Sequence, residues 1–249
     1  VHKVFVVAEA GVNHNGALPE ALRLVDAASA CGADAVKFQL FDWQILKRKE
    51  LEPLQLSRNA MKQIAQYCER RNIEFMCTPF DLDSMRWLAP LVKRMKIASG
   101  FVTDLPFLRE AAKLGIPLIL STGMSTEAQA RAVLDVLPAS TQFLHCTSAY
   151  PCPLEAVNLS AIREYRFDGF SDHTQSIHIA LAAVGMGATI IEKHLTLDKK
   201  AEGPDHASSI NPREFSDLVR CIRDIEIAMG DGVKRHMTAE APAMAIWRK

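Results

Sequence analysis

The 249-residue chain has no excess of charge of either sign, with 29 Lys and Arg against 29 Asp and Glu. Nucleic-acid and polybasic membrane binders need a basic field, so both classes are set aside. No apolar run approaches the roughly 20 residues that cross a bilayer. Val1 leads almost directly into a strand-like run, so no signal peptide is expected. The six cysteines (Cys31, Cys68, Cys77, Cys146, Cys152 and Cys221) form no C-x-x-C pair and no disulfide-type spacing. That pattern points to a reducing, cytoplasmic setting. No linker, low-complexity tract or charge block divides the chain. What is present is a 49% hydrophobic sequence, enough for a sizeable core in one large α/β domain or two small ones.

Short β-type runs alternate with amphipathic helical stretches. Strands are predicted at Lys3–Ala8, Ala35–Leu40, Glu74–Cys77, Met95–Ala98, Pro117–Ser121, Gln142–Cys146, Gly169–Ser171 and Thr189–His194. Eight such units in a chain of about 250 residues match a single-domain (β/α)8 TIM barrel. An open doubly wound sheet is the alternative, but no G-x-G-x-x-G follows the first strand. Helix ends are legible too. Asn211-Pro212-Arg213-Glu214 reads as N-cap, N1 and N3, followed by Phe215, Leu218, Val219, Ile222 and Ile225 at helical spacing and a stop at Gly230. The first helix is expected from about Pro19 to Cys31, ending at Gly32. The barrel is assigned to residues 1–235 and a tail to 236–249.

In a parallel barrel, residues of one parity point inward, and the C-terminal strand ends form the usual active-site mouth. Polar residues gather there: Glu9; Lys37 and Gln39; Thr78; Lys96 and Ser99; Ser121 and Thr122; His145, Thr147, Ser148 and Tyr150; Ser171, Asp172 and His173; Glu192 and His194. Any one of them could be a capped turn or a satisfied polar group. Polar endings on all eight strands point to a polar site.

Lys37 and Lys96, with Thr78, Ser99, Ser121 and Ser171, make a set of cationic and hydroxyl donors suited to a phosphate or a phosphate plus a carboxylate. The alternative is that a lysine pairs with an inward carboxylate such as Glu192. His173 and His194 end adjacent strands and could share a divalent metal, with Glu9 or water at other positions. Glu9 could instead steer a proton or a water. Asp205, in Gly203-Pro204-Asp205-His206, is either an ordinary turn residue or a ligand for substrate hydroxyls. His14, His145, His178, His206 and His236 are weaker candidates. Cys77, Cys146 and Cys152 have no persuasive base partner and read as buried packing residues.

With those residues in place, the sequence resembles the sialic acid synthase (N-acetylneuraminate synthase) family. The resemblance rests on Ala8-Glu9-Ala10-Gly11-Val12-Asn13-His14-Asn15-Gly16, Val36-Lys37-Phe38-Gln39, Thr78-Pro79-Phe80, Lys96-Ile97-Ala98-Ser99-Gly100 and Ser121-Thr122-Gly123-Met124. It continues through His145-Cys146-Thr147-Ser148-Ala149-Tyr150-Pro151, Ser171-Asp172-His173-Thr174, Glu192-Lys193-His194 and Gly203-Pro204-Asp205-His206.

The resemblance implies condensation of phosphoenolpyruvate with an open-chain amino-sugar aldehyde such as N-acetylmannosamine. A divalent metal, Mn2+ or Mg2+, takes part, there is no organic cofactor, and phosphate is released. It implies that Lys37, Thr78, Lys96, Ser99, Ser121, Ser148 and Ser171 hold phosphoenolpyruvate, and that His173 and His194 hold the metal. Glu9, Tyr150 and Asp205 lie near the sugar and the attacked carbons, and Glu9 and His194 are the catalytic candidates. Gln39 joins the substrate wall by its parity.

Two departures concern the acceptor side. The family usually carries a C-terminal antifreeze-like domain, and this sequence stops at Trp247-Arg248-Lys249. The stretch Phe41–Leu56 also looks shorter than the family's loop. A pyruvate-type metal aldolase and a barrel that needs a partner protein for turnover are the competing readings. The partners expected are the two substrates, with a homodimer left open, and neither nucleic acid nor membrane.

Overall fold

The computed structural model describes residues 3–248. Eight parallel strands form the centre: β1 (Phe5–Gly11), β2 (Ala35–Leu40), β3 (Glu74–Pro79), β4 (Met95–Ile97), β5 (Leu118–Ser121), β6 (Gln142–Cys146), β7 (Gly169–Asp172) and β8 (Ile190–His194). Their hydrogen-bonded order is β3-β2-β1-β8-β7-β6-β5-β4, and β3 lies beside β4 to bring the ring round. This is the expected (β/α)8 barrel, nearly closed.

Around it run α1 (Leu18–Ala30), α2 (Trp43–Leu46), α3 (Arg58–Arg70), α4 (Leu82–Leu88), α5 (Leu105–Lys113), α6 (Glu127–Ala132), α7 (Ser160–Glu164), α8 (His178–Gly185) and α9 (Pro212–Met229). A tenth, α10 (Ala241–Trp247), follows on an exposed C-terminal stretch. Among the described residues no helix is long and apolar enough to cross a membrane.

The strands alternate as a barrel requires. Val7, Ala35, Met76, Ile119, Leu144 and Ile190 point inward and pack on one another as a barrel floor. Val36 and Phe38, of opposite parity, join the larger core between sheet and helices. Polar inward residues on the same strands then sit on top of an apolar plug, at the C-terminal mouth.

Two strands run at least two residues further than their sequences suggest. β1 continues through Glu9 to Gly11, because Glu9 pairs in register with Lys37 on one side and His194 on the other. β3 continues to Pro79 through Gln39↔Thr78 and Leu40↔Pro79. Glu9 and Thr78 are therefore strand residues of fixed direction, not loop residues.

The helix ends follow local chemistry. Asn211 Oδ1 accepts from the Glu214 N–H at 3.0 Å, and a Glu214 carboxylate oxygen accepts from the Asn211 N–H at 2.8 Å. This reciprocal box starts α9, which buries Phe215, Leu218, Val219 and Ile222 and stops at Gly230 with φ +57°. Asn211→Ala should therefore lower stability by about 1 kcal/mol. Urea unfolding would show this as a lower midpoint at unchanged slope; an unshifted midpoint would mean that the box adds nothing.

Candidate active site

A cavity of about 370 Å3 opens at the C-terminal ends of the strands. Its wall holds thirteen of the residues expected there: Glu9, Lys37, Gln39, Thr78, Lys96, Ser99, Ser121, Ser148, Tyr150, Ser171, His173, Glu192 and His194. Most are buried; Tyr150 is half exposed at the rim.

The floor of the mouth is a buried cluster of charge. Lys37 contacts the Glu9 carboxylate, donates to Thr78 Oγ1 at 3.0 Å and lies 3.7 Å from Glu192. Lys96 Nζ lies 3.7 Å from Glu192 Oε1, which also accepts from Ser171 Oγ at 2.9 Å. The alternative weighed from sequence, a lysine paired with Glu192, holds for both lysines. Even so, both ammoniums still line the cavity.

Burial works against charge on every member, and the outcome differs. Burial raises Glu9 to about 7, against the lowering influence of Lys37. Burial also acts to raise Glu192, but Lys37 and Lys96 outweigh it and hold the carboxyl at about 2. Burial acts to lower Lys37, yet Glu192 and Glu9 keep it above its ordinary value, whereas Lys96 is pushed down by burial. Glu192 is thus the firm counter-charge, and Glu9 is a carboxyl poised near neutrality.

The hydroxyls converge over a glycine. The Gly123 N–H donates to Ser99 Oγ at 3.0 Å, and a Cβ on Gly123 would stand 2.4 Å from Ser148 Oγ and 2.9 Å from Ser99 Oγ. Only glycine lets both hydroxyls close on that backbone amide. Ser121 Oγ is buried without a hydrogen-bond partner among the described residues, as a group awaiting a ligand would be.

His173 and His194 face one another with ring centroids 5.4 Å apart, and the Tyr150 ring lies 4.1 Å from that of His173. Burial and the neighbouring His194 lower His173 to about 4; burial and Lys37 lower His194 to about 3. Both imidazoles are therefore neutral at pH 7, the form that binds metals. The Thr147 carbonyl accepts from His173 Nδ1 at 2.8 Å, which leaves Nε2 as the free lone pair. His194 Nδ1 is buried with no hydrogen-bond partner among the described residues, 3.8 Å from Asp205 Oδ2. The pair fits two imidazole donors to a divalent cation. Among the described residues no group of three or more His, Cys, Asp or Glu surrounds one point, so further positions would fall to water or substrate.

The Asp205 carboxylate, 3.8 Å from His194 Nδ1, lies beside Gly11, where a Cβ would stand 2.8 Å from Asp205 Oδ2 and 3.1 Å from Glu9 Oε1. Gly11 has φ +51°, so both its backbone and the Asp205 approach require glycine there.

Several mouth residues named from sequence turn away. The His145 ring stacks near Phe167 and Phe170 and bonds the Val157 carbonyl at 2.6 Å. It lies on the outer face of β6, in a groove of about 850 Å3 beside the short helices α6 and α7. The inward residue of that pair is Cys146, with Sγ 3.8 Å from both Ser99 Oγ and His173 Nδ1. Asp172 also turns outward, into a pair with Lys193. Thr122 and Thr147 are tied to the carbonyls of Leu144 and Ala156. Cys146, read from sequence as a packing residue, is the wall residue that residue-by-residue sorting leaves out. Strict alternation, Gln142-Leu144-Cys146, finds it.

This geometry has close counterparts. The chain is 41% identical to an N,N'-diacetyllegionaminic acid synthase of Campylobacter jejuni, a match covering 99% of this chain and 84% of that one. It is 35% identical to the N-acetylneuraminate-9-phosphate synthase of Homo sapiens, over 96% and 75%. The solved N-acetylneuraminic acid (sialic acid) synthetase of Leptospira borgpetersenii, in complex with citrate, superposes with a TM-score of 0.91 at 33% identity. That match covers 98% of this chain and 91% of the other. The NeuB family model spans residues 24–234, a stretch that carries all but Glu9 of the residues on the cavity wall. On its sequence, its barrel and its relatives alike, this chain belongs to the NeuB family of synthases.

Proposed function

We propose that this protein condenses phosphoenolpyruvate with an open-chain amino-sugar aldehyde, N-acetylmannosamine or a related acetamido sugar, to give a sialic-acid-type 2-keto-3-deoxy sugar acid and phosphate. One observation carries the reading. Two buried lysines and a ring of hydroxyls converge in one cavity beside a carboxyl poised near neutrality. The relatives' names, which include legionaminic, pseudaminic and N-acetylneuraminate-9-phosphate synthases, support the sugar class.

In this reading Lys37 and Lys96 neutralise the phosphate and carboxylate of the donor, and Thr78, Ser99, Ser121, Ser148 and Ser171 orient them. Tyr150 and Gln39 face the sugar, and Asp205 acts through His194. A divalent cation, Mn2+ or Mg2+, would be held by His173 and His194 and supplies Lewis-acid polarisation of a carbonyl oxygen. C3 of phosphoenolpyruvate bonds to the aldehyde carbon, whose oxygen takes a proton and becomes a hydroxyl. The positive charge left at C2 develops beside Glu9 and Glu192. Water adds at C2 and gives a proton to Glu9. The bond from C2 to the phosphate oxygen then breaks, its electrons leave with phosphate, and the new C2 hydroxyl gives its proton to that phosphate as it becomes the ketone. A cytoplasmic setting belongs to the same reading, and all six thiols are free.

The reading is tested by phosphate release from phosphoenolpyruvate with Mn2+ and a panel of acetamido sugars, with product masses read in parallel. Release that depends on one sugar, with the mass of sugar plus pyruvate, is expected. A product of the same mass formed from pyruvate supplied in place of phosphoenolpyruvate, with no phosphate release from phosphoenolpyruvate, would instead mark an aldolase.

Glu9 supplies a second test. As the base for water it must be ionised, and a pKa near 7 means that its active form is lost as pH falls through 7. The rate under kcat/KM conditions should rise with pH and level off above about 7. Glu9→Gln should abolish that limb and lower kcat by about 100-fold or more. A Glu9→Gln enzyme with parental kcat and only weaker binding would remove Glu9 from the chemistry.

A further inference from the structure

The strand ends that carry His173 and His194 share a buried ion pair that faces away from the cavity. Asp172 and Lys193 are register partners across β7 and β8, and both are fully buried. Lys193 Nζ donates to Asp172 Oδ2 at 2.8 Å and to the Thr174 carbonyl, with Thr174 Oγ1 at 3.4 Å. Asp172 Oδ1 accepts from the Thr174 N–H at 2.8 Å. One ammonium, on the residue immediately before His194, thus grips the residues on both sides of His173. The remaining backbone is held as well: the Cys152 N–H donates to the His173 carbonyl at 2.9 Å, and the Ile210 N–H to the His194 carbonyl at 3.0 Å.

A buried ion pair is a weak stabilising device, because desolvation offsets most of its attraction and an apolar pair of similar volume often serves as well. The neighbouring outward residues Phe170 and Ile191 are apolar, so an apolar pair would suit the surroundings. What it could not do is tie residue 174 and residue 172 to the neighbouring strand by directional bonds. We propose that Asp172 and Lys193 are positioning residues that set the spacing and tilt of the His173 and His194 imidazoles for a divalent cation. The inference rests on the metal reading above and extends it to residues that touch neither metal nor substrate.

The test uses the full chain with Mn2+ alone. Free Mn2+ is followed by its electron paramagnetic resonance signal, and folding by circular dichroism and thermal midpoint. In the double variant Asp172→Leu/Lys193→Met, a folded protein should bind Mn2+ about 10- to 100-fold more weakly than the parent. Lys193→Arg, which keeps a buried cationic donor, should recover part of that affinity. A folded double variant within twofold of the parent would overturn the proposal. If the double variant fails to fold, the near-isosteric Asp172→Asn carries the same expectation, and parental affinity there would overturn it equally. His173→Ala and His194→Ala keep the two readings apart. If they bind Mn2+ as the parent does, the metal reading fails and this inference with it. If they lose Mn2+ while the pair variants keep it, only the positioning role fails.

Discussion

Everything at the mouth of this barrel depends on two ammonium groups buried among two carboxylates. An unpaired charge at such depth costs several kcal/mol, a large share of the roughly 5–15 kcal/mol that keeps a domain folded. Lys37 and Lys96 are tolerated because Glu192 lies between them and Glu9 closes on Lys37. The carboxylates are not equivalent. Glu192, held by both lysines and Ser171, stays ionised, whereas burial brings Glu9 to the edge of protonation near pH 7. A multiply charged anion entering the cavity can replace Glu9 as the partner of Lys37 and free that carboxyl to handle a proton. The same four residues thus keep the site stable without a ligand and ready to take one.

The fold supplies what this cluster needs. An apolar floor of Val7, Ala35, Met76, Ile119, Leu144 and Ile190 seals the barrel beneath it. The register of β1 with β2 and β8 sets Glu9 level with both Lys37 and His194. Two glycines let the walls close: Gly123 under the Ser99 and Ser148 hydroxyls, and Gly11 beside Asp205. The imidazole pair is neutral through burial and close to the hydroxyls, with Cys146 Sγ 3.8 Å from both Ser99 Oγ and His173 Nδ1. The anion-binding and metal-binding residues meet on β7 and β8, where Ser171 and Glu192 belong to the charged and hydroxyl cluster and His173 and His194 to the imidazole pair.

Much of this is legible in the sequence because strand geometry is periodic. Alternation alone directs Lys37 and Gln39 inward, and the structure puts them there. His145 misleads because adjacent residues at a strand end all look like mouth residues until parity is applied, and parity selects Cys146. Glu9 and Thr78 read as loop residues because strand length is set by pairing with neighbours that no local run reveals. Asp205 is named from the sequence, but its placement beside Gly11 and His194 is not legible there. Its position depends on the path of the Gly203–His206 loop and on a left-handed Gly11 about 190 residues away in sequence.

The most direct test of the account is calorimetric binding of phosphoenolpyruvate to the parent and to Lys37→Met and Lys96→Met. Loss of a buried charge partner to phosphate or carboxylate costs at least about 2 kcal/mol, so each substitution should weaken binding by more than tenfold. Saturable binding in the parent, lost in both variants that remain folded, is the predicted result. Parental affinity in either folded variant would contradict the claim that the buried lysines form the donor site.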